Sequence, residues 1–459
     1  MLAVFMTNLD LWIVNVALPA LGNGFAQHGR PPSLADLSWV LNAYAITLAA
    51  LLVVAGRLAD RVGQRTVFLV GVVVFTVASA ACALAPNLGV LVIARIVQAS
   101  GAALQLPTSL ALLLATVPEA RRPGAARAWA AVGGLAAASG PVLGGLLVEI
   151  DWRWVFVVNL PIGVATLLAG LRTLPRAAAR ESGPVPDLIG AVLVTGSVAT
   201  LTGALVQAPS WGWGSGRTIG LLAFAAATGI WFARRCLRHH TPLMELHLLR
   251  LPRFGIANAG VFVFSVAFAI MLLSNVLWCQ EVWGWSALRT GLAMVPGPAL
   301  VPIVTIASAR AMRRLGPGPL VFAGGLLFSA GLIWRVVFVS EVPDYVRDLL
   351  PSMILGGIGV GLALGTLIAA GVTSLPANRS ATGSALVNSG RQIASALGVA
   401  ILVTMLGGRV ELSAFRAGWV TGAALSVVCA MTGLLLLRSA RRTAVASAIA
   451  DTERVPVAG

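Results

Sequence analysis

The chain has 459 residues, 58% hydrophobic and only 10% charged, with a mean hydropathy of +0.91. Soluble domains carry about 25% charged residues, so these side chains cannot cover a water-facing surface, and a soluble globular protein is excluded. The formal charge of +16 points to anionic lipid head groups and away from nucleic acid, because all 32 basic residues are arginines, gathered mostly in short loops between apolar runs.

Apolar runs of about 20 residues, enough to cross a bilayer core, recur along the whole chain. They lie near 1–22, 37–56, 67–86, 88–116, 128–149, 154–172, 188–208, 218–236, 254–278, 288–310, 318–339, 348–371, 383–407 and 416–437. They predict an all-α integral membrane protein with fourteen transmembrane helices. The first run holds Asp10 at its middle and leads straight into further spans, which suits a retained helix better than a cleaved signal. It starts with the chain, which leaves room for an upstream start.

An even number of spans puts both termini on one side. The connectors after even-numbered spans, with the tail, hold 22 arginines, and the opposite connectors, counting Arg335, hold eight. This imbalance predicts cytoplasmic termini. The arginine-, alanine- and glycine-rich composition without lysine predicts a bacterial plasma membrane as the setting. The longest polar connectors, 173–187 and 237–253, flank the seventh and eighth spans. They divide the chain as 6 + 2 + 6: a bundle over 1–172, two linker helices with their loops over 173–253, a second bundle over 254–437, and a tail over 438–459 expected to be disordered.

Four cysteines, Cys82, Cys236, Cys279 and Cys429, lack CxxC spacing and read as small apolar residues in helices, not as a disulfide framework or metal site. The four histidines, His28, His239, His240 and His247, fall in loops. There is no HExxH, GxSxG or phosphate-cradling glycine loop with a lysine, so neither an enzyme nor a cofactor is expected.

Two arginines remain for the hydrocarbon layer, Arg95 and Arg391. An ionisable residue there is expensive and marks function by default. At 1.5 Å per residue Asp10 lies roughly 15 Å deep and Arg95 roughly 10 Å below the opposite face, within reach of each other. Arginine keeps its proton, so Asp10 is the group that can exchange one. Burial disfavours its ionised form and Arg95 favours it, a balance suited to proton coupling; a static buried ion pair is the plainer alternative. No other acidic residue lies deep in a span.

The loop after the second span, Gly56 to Arg65, spaces Gly56, Asp60, Arg61, Gly63 and Arg65 as a tight turn with charges at helix ends. Asp60 is expected at a helix N-terminus, and Arg61 and Arg65 against acidic groups, lipid phosphates or a helix end in the other bundle, together an ionic latch. In the fifth span Gly140-Pro141 predicts a bend, and Gly133, Gly134, Gly144 and Gly145 predict close helix approach. Arg391, with Asn388 and Gln392, lines a cavity, bonds backbone carbonyls or snorkels toward the cytoplasm. Trp39, Trp278, Trp283 and Trp285 are expected in interfacial belts. Trp12, Asn15, Gln98, Asn388 and Arg391 are the candidate cavity residues.

These motifs resemble the major facilitator superfamily. Gly56 to Arg65 looks like its GxLaDrxGrr loop. Leu9-Asp10 with Ile13 to Pro19 is similar to the first helix of the fourteen-span drug:proton antiporters. Arg95, Gln98, Gly101, Ala102 and Ala103 are similar to RxxQGxGaA, and Gly140 to Gly145 to GPxxGG. Trp152-Arg153-Trp154 with Asn159 to Gly163 looks like the start of the sixth helix. Gln280 to Gly284, Gly291, Pro296, Arg391-Gln392 and Gly398 fit the second half. Trp12, Gln64, Ala99 and Arg313 depart from the pattern, which bears on substrate range and on a second latch.

The resemblance implies a rocker-switch exporter driven by the proton gradient, with Asp10 and Arg95 in coupling and the loop in conformational control. The implied partners are a small-molecule substrate, protons and a bilayer with anionic lipids, and the implied state is a monomer. The alternatives are a dedicated exporter of one metabolite, lipid or siderophore, or a non-transporting sensor on the same fold.

Overall fold

The computed structural model describes residues 1–26, 30–118, 121–174, 187–375, 380–408 and 411–452. His28, Arg176, Arg180, Arg379, Arg409 and Arg454 lie outside the described residues, as does most of the 173–187 connector.

Among the described residues fourteen helices are long and apolar enough to cross a membrane, and each overlaps one expected span. They are α1 Leu2–Gly24, α2 Leu34–Val62, α3 Gln64–Ala83, α4 Leu88–Ala115, α5 Arg122–Ile150, α6 Trp154–Thr173 and α7 Leu188–Trp211. The others are α8 Gly216–Arg238, α9 Pro252–Val282, α10 Ala287–Ala307, α11 Pro317–Phe338, α12 Tyr345–Thr373, α13 Ser380–Leu406 and α14 Leu412–Thr452. Short polar side chains start several of them: Ser33, Asn87, Asp187, Ser215 and Ser286 each accept a backbone N–H of the first turn. Gly63 (φ 110°) alone separates α2 from α3, and Gly316 (φ 77°) precedes α11 in the matching connector of the second half. Only glycine holds such angles readily.

Large apolar side chains such as Val192 (70% exposed) and Val77 (64% exposed) are left uncovered by protein, as lipid contact requires. Inside, α1 packs on α5, α4 and α6, while α2 and α3 pack on α4. In the second half α9 packs on α12, α13 and α14, and α11 on α12 and α14. Helices α7 and α8 pack on each other, and α7 also lies against α2 and α13. Two seams join the halves, α2 with α13 and α5 with α10.

Four expectations are corrected. The tail does not start as coil at residue 438: α14 continues to Thr452, through the helix-favouring Ala444, Ala446, Ala448 and Ala450. Trp278, Trp283 and Trp285 are buried rather than interfacial. A π turn over Trp278–Val282 turns them onto one another and onto Phe415 and Trp419. Arg335 is no loop residue: it lies in α11 and is 1% exposed. Asp60 occupies the last turn of α2, where it accepts from Gln64 Nε2 at 2.9 Å, because the helix runs on to Val62.

Candidate transport site

Asp10 on α1 and Arg95 on α4 meet in the first half, both fully buried. Arg95 Nη1 donates to Asp10 Oδ2 at 2.5 Å and to Gln98 Oε1 at 2.7 Å. Gln98 Nε2 donates to Asp10 Oδ1 at 2.9 Å and to Ser79 Oγ at 2.8 Å. Asn159 Nδ2, from α6, reaches Asp10 Oδ1 at 3.1 Å. Arg95 Nε donates to the Val40 carbonyl at 3.2 Å, and its guanidinium lies 4.1 Å from the centroid of the Tyr44 ring. Five helices therefore contribute to one buried network around this carboxylate.

The chemistry of this arrangement follows from donor counting. An ionised carboxylate only accepts, and here three side chains donate to it. A protonated carboxyl gains one O–H donor and keeps acceptor capacity, so in that form it would need an acceptor as well as these donors. Tyr44 Oη and Asn159 Oδ1 are buried without a hydrogen-bond partner, two acceptors at hand near the same carboxyl.

Beside it lies a cavity of about 950 Å³ between the halves. Trp12, Asn15 and Arg391 line it, as does Arg95. Trp12 meets Phe268 of α9 edge-on, with ring centroids 5.6 Å apart. Gln98 and Asn388 are not among the lining residues. Gln98 is drawn into the Asp10 network, and Asn388 turns back on the Ser384 carbonyl at 3.0 Å. Arg335, Asn275 and Tyr44 also line the cavity and were missed. Arg335 stands four residues from the end of its apolar run, where it reads as an interface residue. Tyr44 and Ser79 carry no spacing signal, since what joins them to Arg95 is tertiary.

The GPxxGG stretch faces two ways. A Cβ at Gly140 would lie 2.5 Å from Trp12 Cβ, and one at Gly144 2.9 Å from Ile13 Cγ1, so these glycines seat α5 on α1. A Cβ at Gly145 would lie 2.5 Å from the Ala287 carbonyl, across the halves, and Gly291 of α10 abuts the Pro141 carbonyl. Gln280 Nε2 donates to the Val16 carbonyl at 3.0 Å in the same region. On the side away from the termini α5 and α10 therefore pack backbone to backbone. Toward the termini Gly134 meets nothing within 4 Å and, with Leu135 and Pro302, faces the cavity.

The loop residues Gly56 to Arg65 sit at the terminal side. Arg65 donates to the Leu171 carbonyl at 3.1 Å, the end of α6 in its own half, so the helix end it meets is not one of the other bundle. Arg57 donates to the Thr241 and Pro242 carbonyls at 2.9 and 2.6 Å. Arg61 is exposed.

The sequence profile of the Major Facilitator Superfamily matches residues 1–399. The chain is 34% identical over 409 residues to the tetracenomycin C resistance and export protein of Streptomyces glaucescens, spanning 89% of this chain and 74% of that protein. It is 35% identical over 410 residues to multidrug resistance protein Stp of Mycobacterium tuberculosis, with coverage of 88% and 74%. It is 33% identical over 456 residues to the methylenomycin A resistance protein of Streptomyces coelicolor, with coverage of 96% and 92%. Among solved structures, the peptide transporter POT shares the fold with a TM-score of 0.66 at 18% identity, over 96% of this chain and 94% of that one. The xylose transporter XylE from E. coli does so with a TM-score of 0.62 at 14% identity, over 94% of each chain.

Proposed function

The chain belongs to the major facilitator superfamily, and within it we propose a proton-coupled antiporter that exports hydrophobic or amphipathic small molecules, antibiotics among them. It is a multi-pass membrane transporter, not an enzyme. Drug resistance or export in the names of the three relatives supports the exporter half of this reading.

One observation carries the coupling half: Arg95 lines the cavity and also holds Asp10. A proton arriving from outside neutralises Asp10, and its hold on Arg95 weakens. The positive charge then bears on the cavity wall, and the two six-helix bundles rock about the linker pair. The close packing of Gly145 on Ala287 and of Gly291 on Pro141 is the seal that must part, exchanging a cavity open toward the termini for one open to the other side. In this reading the termini are cytoplasmic, the membrane is the bacterial plasma membrane, and surface arginines rest on anionic lipid. The protein works as a monomer, without a cofactor.

Flux in proteoliposomes under an imposed pH gradient, with a panel of drug-like compounds, tests the proposal. The gradient should accelerate efflux of several panel members in the native protein and of none in Asp10→Asn. Gradient-driven flux that survives in Asp10→Asn would remove the coupling assignment. A second reading, export of one dedicated compound, draws support from two relatives whose names each carry a single antibiotic. A panel in which only one scaffold moves would favour it.

A further inference from the structure

The cavity is lined by three arginines, Arg95, Arg335 and Arg391, and among the described residues that line it none is acidic. Arg95 is answered by Asp10. Among the described residues no carboxylate answers the other two. Arg335, 1% exposed, donates from Nε to Ser352 Oγ at 2.8 Å and from Nη1 to Asn275 Oδ1, both neutral acceptors. Arg391 on α13 has a buried Nε with no hydrogen-bond partner. Charges placed in the hydrocarbon layer face a polar pathway and seek counter-charge. Two guanidiniums on one low-dielectric cavity raise a positive potential that concentrates anions, and the guanidinium fork matches a carboxylate with two parallel bonds. Between them the wall is aromatic and thioether: Trp12, Phe268, Met271 and Met353. Such a wall takes flat apolar bodies of varied outline.

We infer that the cavity selects substrates bearing a negative charge, a carboxylate or phenolate on an aromatic body, with Arg391 and Arg335 as the anion-binding groups. This rests on the export reading and narrows its substrate class.

A matched probe set tests it: 1-pyrenebutanoate, its methyl ester and 1-pyrenebutylamine, titrated against the purified full-length protein in nanodiscs by energy transfer from tryptophan. The butanoate should bind about tenfold or more tightly than the ester, and the amine most weakly. Arg391→Gln should cost the butanoate about tenfold while leaving the ester within about twofold, and Arg391→Lys should restore part of the loss. Arg335→Gln should act in the same direction. Equal or tighter binding of the ester or amine by the native protein would overturn the inference, as would variants that weaken ester and butanoate alike. The ranking is read on the native protein, so a variant that fails to fold does not blunt the test. Proteoliposome flux of the same probes separates the two claims. No flux of any probe refutes export while the binding ranking stands, and flux without charge preference refutes anion selection alone.

Discussion

Three side chains donate to Asp10, and removing the strongest of them leaves a buried anion on amide donors alone. Breaking one partner of a buried ion pair typically costs about 3–5 kcal/mol. Arg95→Gln should therefore lower the thermal midpoint in detergent far more than Arg61→Gln, whose side chain is exposed. Adding Asp10→Asn to Arg95→Gln should recover part of the loss, because the orphaned charge goes with it. A double variant no more stable than Arg95→Gln would mean that the amides alone satisfy the carboxylate. At this scale the sequence was informative where rarity speaks: one acid and two arginines lay deep in apolar runs, and matching depth paired Asp10 with Arg95. It was silent on Asn159, Ser79 and Tyr44, ordinary residues whose part depends on which helices meet.

The helices themselves were legible because lipid imposes a length and a polarity on each, and short polar caps mark several starts. Contacts between helices were less so. The glycines of α5 predicted close approach, but not that Gly140 and Gly144 serve α1 while Gly145 serves α10. Gly145→Val should force α10 away and lower flux, and cross-linking between α5 and α10 near Gly145 and Ala287 should report the widened seam. Gly220→Ala on α8, away from the cavity and with open space around it, should leave flux near native. If Gly145→Val transports and cross-links like the native chain, the seam is not a gate. In the linker, Asp187 accepts from Gly190 N, Arg235 Nε and Leu243 N at 2.8, 2.9 and 3.2 Å, tying α7 to the end of α8 and its connector. Burial alone would raise its pKa, but the Gly190 amide, the Arg235 guanidinium and the Leu243 amide outweigh that and hold it below the usual 3.8. A lowered folded-state value stabilises fully above the unfolded value, about 3.9, and the contribution fades as pH falls through the lowered one. Asp187→Asn should thus be less stable than native at pH 7 in thermal melts, with the gap closing below about pH 4. A gap independent of pH would contradict the charge-based tie.

Over the whole molecule, composition alone determined the solvent, and a period of apolar runs determined the number of spans. Which halves pack, and where the cavity lies, follow from surfaces that periodicity does not order, and Arg335 shows the consequence: its place near a helix end hid a cavity charge. The central claim is that Asp10 links movement of substrate to movement of protons. An outward substrate gradient in proteoliposomes, with a pH dye inside the lumen, reads that link without assuming a driving force. The account predicts counter-movement of protons with the native protein. With Asp10→Asn it predicts no proton movement, while exchange of labelled for unlabelled substrate persists. Proton counter-flow of native size in Asp10→Asn would contradict it.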